Sequence, residues 1–411
     1  MQIALVALAL TATLPRAVLL PLATPSACHA EEGYAAAFEG RRTFLLKPDQ
    51  MVPIKAARDH DPFVMAAYKA LIVRADAALR RRPGSVMDKT TLPPSGDRHD
   101  YISIAPYWWP DPANPTGPYL RRDGEVNPAR DTDDYDRTAL GRMSSDAETL
   151  ALAYYYSDDR RYADKAAQII RTWFLAPSTA MNPNARFAQA IAGRGSGRAA
   201  GVLDTTAFQP VVDAIGLLAP SGALSATEVI CLEAWFGRYL DWIQRSPAGR
   251  REQAATNNHG MWFDAQLTHF ALFARRPEIA RRTIKAFPYR RIAVQFTRSG
   301  ALPAELVRTR SLHYSLFALQ AGYDVAEIAA CVNLDLWNYA DSKGRGLRNA
   351  TDYLAKYGLI GTWRHGEIRW PGEELDMLLT RANWAWGSGI YPTSFRGTSA
   401  LLYVRNGLSV R

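Results

Sequence analysis

The 411-residue sequence holds only three cysteines and seven histidines, and no basic run longer than Arg80-Arg81-Arg82. So few cysteines, scattered among apolar stretches, set cysteine chemistry aside as the function. The dispersed lysines and arginines, without a basic stripe or recognition motif, argue against a nucleic-acid-binding arm. Strand-like alternation is scarce and confined to Ile368-Arg369-Trp370 and Leu401-Leu402-Tyr403-Val404. No short repeat is visible, so this is not a consensus solenoid. The N-terminal apolar run is broken by Pro15, Arg16 and Pro21 well short of a spanning helix, so no membrane span is expected.

What remains is an ordinary globular composition, 48% hydrophobic and 22% charged, with a net charge of +9 that suits an anionic partner. Met1 to Leu14 is almost wholly apolar, and Cys28-His29-Ala30 places small residues for a cut before Glu31. The leading positive charge is missing, yet the pattern reads as an export signal over 1–30, followed by one domain over 31–411. That predicts a periplasmic or secreted protein. A lipoprotein cut before Cys28 fits poorly, because Pro25 stands where an aliphatic residue belongs. The two cysteines left, Cys231 and Cys331, lie in helical patterns and read as buried thiols, not as a bridge.

Apolar periodicity of 3.6 predicts helices over 61–82, 160–174, 205–218, 226–243, 258–274, 278–296, 309–321, 323–334 and 347–357. Ser145-Asp146-Ala147-Glu148 and Ser225-Ala226-Thr227-Glu228 are capping boxes, each expected to open a helix. Residues 83–135, rich in proline and carrying Tyr101, Tyr107, Trp108, Trp109 and Tyr119, read as a lid or substrate-binding loop. The helix count and loop placement fit an all-α fold, an α/α toroid built as an incomplete ring of helical hairpins. The layer argument equally allows an irregular helical bundle.

Two motifs concentrate the chemistry. Thr256-Asn257-Asn258-His259-Gly260-Met261-Trp262 puts cap-type residues ahead of an apolar run. Glu305-Leu306-Val307-Arg308-Thr309-Arg310-Ser311-Leu312-His313-Tyr314 brings two guanidiniums, an imidazole and a phenol to a second helix start. Neither is a metal set or a nucleophilic triad. Together they suit a carboxylate that must be neutralised while a nearby proton is moved.

Asn257 to Trp262, Arg308 to Tyr314 and the loop Asp97-Arg98-His99-Asp100-Tyr101-Ile102-Ser103-Ile104-Ala105-Pro106-Tyr107-Trp108-Trp109-Pro110-Asp111 resemble the alginate lyase superfamily of α/α-toroid polysaccharide lyases. The resemblance runs from about residue 60 to 390, and the aromatic loop is similar to a branch that includes alginate and glucuronan lyases. It implies that Asn258 and His259 neutralise a uronate carboxylate with help from Arg308, and that Tyr314 removes the C5 proton and protonates O4. It implies no metal or other cofactor. His99, Tyr101, Tyr107, Trp108, Arg310 and His313 are the expected substrate-binding residues, and a uronate polysaccharide or oligosaccharide is the expected partner.

The residues make sense of that chemistry on their own. A C5 proton is barely acidic beside an anionic carboxylate, and donors aimed at that carboxylate stabilise the enolate-like state, each worth about 3–4 kcal/mol of barrier. A phenol, with an ordinary pKa of about 10, is a poor base unless cations favour the phenolate. Arg308, Arg310 and His259 are expected to supply them. Two rival readings stay open. A glycoside hydrolase would need two carboxylates from Asp100, Asp111, Asp264 or Glu305, and a glycan-binding protein would need no chemistry. Asp264 reads as a helix-surface charge, Glu305 as a first-turn carboxylate, His269 as a core histidine. His365, flanked by Arg364 and Arg369, is a lesser contact candidate.

Overall fold

The architecture, in a computed structural model that describes residues 25–387, 389–393 and 401, follows from where the apolar positions fall on each helix. The α-helices are α1 Pro48–Ala57, α2 Pro62–Arg80, α3 Arg137–Ser157, α4 Arg160–Phe174, α5 Gln209–Leu218, α6 Ala226–Arg245 and α7 Pro247–Ala254. They continue as α8 Asn258–Phe273, α9 Pro277–Phe287, α10 Ala293–Gln295, α11 Pro303–Leu306, α12 Ser311–Ala329, α13 Leu347–Leu359 and α14 Gly372–Trp386. Helices α4, α6 and α9 carry one apolar face each and pack outside. Helices α5, α8 and α12 are buried on nearly every side and stand inside. Successive contacts of α3 with α4 and α5, α5 and α6 with α8, α8 with α9 and α12, and α12 with α13 build the expected α/α toroid of helical hairpins. Two stretches, Ala199–Ser221 and Ser311–Val332, have the length and apolarity of a membrane span, but 72% and 78% of those windows are buried inside the ring.

Several boundaries differ from expectation for local reasons. The Ser145 box lies inside α3, which starts at Arg137 because the turn entering it already packs Leu140 and Met143 into the core. The two helices expected over 309–334 are one, because Gly322 is a close-approach site and not a break. A Cβ there would stand 2.8 Å from Leu347 and 2.9 Å from Met261. The helix expected over 278–296 is interrupted by a π turn at Pro288–Ile292. Helix α14 escaped the periodicity reading. Ile368-Arg369-Trp370 forms no strand, its neighbour Glu367 making a single bridge with Arg310. Residues 402–404 of the other expected strand lie outside the described residues.

Strands are few and short: β1 Ile102–Ile104, β2 Trp108–Trp109, β3 Leu120–Arg121 and β4 Phe187–Ala190. β1 pairs in parallel with β4, and β2 with β3 antiparallel, Trp108 opposite Arg121 and Trp109 opposite Leu120. These pairs fold the 83–135 segment back over the ring.

Residues 26–47 strap the helices together. The amides of Phe44, Leu45 and Leu46 donate to the Asp213 carboxylate on α5 at 2.8, 2.8 and 2.9 Å. Arg42 reaches the Leu272 and Phe273 carbonyls at the end of α8, at 2.9 and 3.2 Å, satisfying groups a helix terminus leaves open. Cys28 is disulfide-bonded to Cys331, just beyond α12, and Cys231 is free and exposed. The two-thiol expectation is thereby corrected. Residues 1–24 of the expected export signal lie outside the described residues.

Candidate active site

The two motifs open two inner helices that run side by side. The Trp262 and Phe317 rings meet at 4.7 Å between centroids, and a Cβ on Gly322 of α12 would stand 2.9 Å from Met261 of α8.

Asn257 caps α8, its side chain accepting from the His259 amide at 3.3 Å. Asn258, fully buried, donates its backbone N–H and Nδ2 to the two oxygens of Glu305, at 2.6 and 2.8 Å. Its Oδ1 is buried without a hydrogen-bond partner among the described residues. His259 is tied through Nδ1 to the buried Glu252 of α7 at 2.5 Å, which turns Nε2 the other way. Glu305 is only 1% exposed; burial raises its carboxyl above the usual range, against the pull of Asn258, Arg308 and His259. It is the first-turn carboxylate expected, and it also brackets the two motifs from inside.

One edge of the Arg308 fork is engaged by Asp123. Nε donates to both Asp123 oxygens at 3.2 and 3.0 Å, and Nη2 to one at 2.8 Å. The guanidinium lies over the Tyr314 ring, 3.8 Å from its centroid. The Asp123 carboxyl, which burial would raise, is held down at about 2 by Arg308, the Thr309 amide and Arg121. Tyr314 is 7% exposed, its hydroxyl sharing a hydrogen bond with that of Tyr107. Burial and Tyr107 push the phenol above its ordinary value, and Arg308 only partly offsets them. Arg308 thus acts in the expected direction, but burial and Tyr107 outweigh it.

The remaining expected contacts divide. Tyr107 reaches the phenol. Trp108, half-buried on β2, lies under the Arg194 guanidinium at 5.0 Å, so its face is already stacked. Tyr101 is fully buried and donates to Asp204 at 3.0 Å, which removes it from any substrate surface. His99 binds the Ala180 carbonyl at 2.6 Å and joins two loops. His313 binds Glu374 at 2.6 Å and stands edge-on to Tyr314 with centroids 5.0 Å apart, so it wedges the phenol from behind. Arg310 precedes α12, its backbone bridged to Glu367 and its Nε buried without a partner among the described residues. Glu252 and Asp123 escaped the sequence reading. Glu252 lies seven residues before its histidine across a helix break, and Asp123 lies 185 from its arginine. Only an acidic residue beside Gly124 inside a long irregular loop could have drawn notice.

Of the carboxylates a hydrolase would draw on, Glu305, Asp264 and Asp100 are occupied, and Asp111 accepts the Ala113 amide in its own loop at 2.9 Å. Asp264 is fully buried, paired with Arg291 at 2.7 Å, and is no surface charge. Asp100, 8% exposed, accepts from Ser95, Asn182 and Asn184. His269 is wholly buried in the core, as expected.

The chain is similar to the crystal structure of an alginate lyase from Bacteroides ovatus, 37% identical, with a TM-score of 0.83 and coverage of 89% of this chain and 99% of that one. It shares a fold with alginate lyase A1-III complexed with tetrasaccharide, in a histidine-to-alanine variant, at 17% identity, a TM-score of 0.52 and coverage of 86% and 98%. No curated protein matches the chain. A helical ring with this likeness is a polysaccharide lyase. The Alginate lyase family pattern matches residues 85–363, more than half of the sequence, and the chain belongs to that family.

Proposed function

We propose that this lyase cleaves 1,4-linked uronate polymers, of the mannuronate or glucuronate type, by β-elimination. The observation that carries the proposal is the Tyr314 phenol, seated under Arg308, with the Asn258–His259 turn tied to the same segment through Glu305. The His259 imidazole, braced by Glu252, meets the uronate carboxylate through Nε2. Asn258, bracketed by Glu305, supports it from the same turn and keeps one further amide N–H for the carboxylate. With that charge neutralised, the Tyr314 phenolate takes the C5 proton. The C5 electron pair forms the C4–C5 double bond as the C4–O4 bond breaks, and the phenol returns the proton to O4. C5–H and O4 share one face in mannuronate and glucuronate, so a single phenol serves as base and acid in turn.

Polymer access requires Tyr107 to part from Tyr314, which gives the 83–135 segment the lid role. The test is product mass on alginate and glucuronan. Elimination yields an unsaturated end one water lighter than hydrolysis gives. Products bearing that water, or binding without chain shortening, would overturn the reading.

The protein is further proposed to be exported, periplasmic or secreted. The Cys28–Cys331 bridge supports an oxidising compartment. A cut before Glu31 would discard Cys28, so the reading that keeps the bridge puts the cut upstream of Cys28 instead. A mature N-terminus at Glu31 would contradict this.

A further inference from the structure

Arg308 is the arginine expected to help neutralise the uronate carboxylate, and one edge of its fork is held by a carboxylate of the protein itself. Nε and Nη2 both face Asp123, with three hydrogen bonds of 2.8 to 3.2 Å. That carboxylate takes the Nε/Nη2 edge, the side-on face that makes arginine a strong carboxylate partner, and leaves the Nη1/Nη2 edge to meet a second anion. The plane of the guanidinium covers the phenol at 3.8 Å.

Asp123 is itself fixed from several sides. It accepts from the Thr309 amide at 3.3 Å and from the Thr309 hydroxyl at 3.2 Å, while its own carbonyl takes that hydroxyl at 3.0 Å. Arg121 approaches at 2.6 Å. The next residue, Gly124, has φ +79° and no space for a side chain, since a Cβ would stand 2.4 Å from the Thr309 hydroxyl. The turn is built to press against the start of α12.

We propose that Asp123 is a positioning residue for the elimination: it holds Arg308 flat on Tyr314 and thereby sets how readily the phenol gives up its proton. The proposal rests on the reading of Tyr314 as the base. The groups around that phenol are Tyr107 and Asp123 from the 83–135 segment, Arg308 ahead of α12, and His313 on α12 with Glu374 behind it. Arg308, on the ring face, favours the phenolate, while Tyr107 and the Asp123 charge oppose it; Asp123 also fixes the place of the guanidinium. Two effects therefore oppose each other. Removing the carboxylate unmasks the cation, and it also frees the guanidinium to move.

The experiment compares pH–rate profiles of the full-length enzyme and Asp123→Asn on a uronan that the wild type cleaves, with circular dichroism confirming the fold. Wild-type cleavage is established first, so failure of the lyase reading is seen separately. The acidic limb of kcat is expected to move to lower pH by about one unit, because an anion beside the phenol is gone, while kcat at the plateau falls at least tenfold. Thr309→Val, which removes the hydroxyl hydrogen bonds and leaves the ion pair, is expected to keep the wild-type limb. A fall in kcat at every pH with an unmoved limb would reduce Asp123 to a strut and overturn the proposal. So would an unchanged profile, and so would a failure of both Asp123→Asn and Asp123→Ala to fold.

Discussion

Tyr314 sits where burial and a neighbouring phenol keep it protonated through the neutral range. Activity that needs the phenolate must then rise with pH, since a raised pKa moves the acidic limb upward. Tyr314→Phe is expected to lower kcat by about 10²–10⁴, the usual worth of a positioned base, with the fold intact by circular dichroism. Glu252→Gln tests the brace behind His259. Losing a charge-assisted hydrogen bond of about 1.5–3 kcal/mol should cut kcat/KM by roughly tenfold to a hundredfold, and an unchanged value would remove Glu252 from the site. The phenol, the imidazole and Asn258 were legible in the sequence, because they recur at helix starts in motifs that stand out from the apolar background. Glu252, Asp123 and the bracketing by Glu305 were not, because each acts across a chain break or a distance that no periodicity records. Tyr101 misled for a related reason: an aromatic among prolines reads the same whether it faces sugar or, as here, Asp204.

At the scale of elements, the turn that presents Asn258 and His259 is held by α8 itself and by the π turn before α10. Arg291, 2% exposed, donates to Asp264 on α8 and to the Gln253 and Ala255 carbonyls just upstream of the motif. Gly260 permits this approach, since a Cβ there would stand 2.3 Å from the guanidinium. Asp264→Asn should cost about 3–5 kcal/mol of stability by chemical denaturation, because it leaves a buried cation uncompensated. The protein that stays folded should still eliminate. Loss of turnover at unchanged stability would instead favour hydrolysis through Asp264. The loop contact made by Asp123 has its own signature. Its carboxyl is held at about 2, below the ordinary value of about 3.9. The ionised form is thus favoured by the fold, and its contribution is present above about pH 4 and lost as pH falls toward 2. The stability gap between wild type and Asp123→Asn should be constant at neutral pH and close across that window. Helix boundaries were the part least legible at this scale. Gly322 looks like a breaker in sequence but serves the approach of α12 to Leu347 and Met261.

For the whole molecule, the strap from Ser26 to Lys47 and the Cys28–Cys331 bridge close the inner helices from the end opposite the motifs. A link across 303 residues constrains the unfolded chain strongly, and Cys28→Ser should lower stability by about 2–4 kcal/mol, matched by reductant on the wild type. The all-α ring was legible because 3.6-residue periodicity pervades the chain, whereas the bridge was hidden by the apparent cleavage site that follows Cys28. Ring, strap and lid all serve to bring a phenol and an imidazole from distant stretches to one sugar acid. Ultraviolet absorbance of the new C4–C5 double bond, followed on polymannuronate and glucuronan with wild type and Tyr314→Phe side by side, tests that most directly. The account predicts a steady rise with the wild type on at least one polymer and almost none with folded Tyr314→Phe. An undiminished rise with Tyr314→Phe would contradict it.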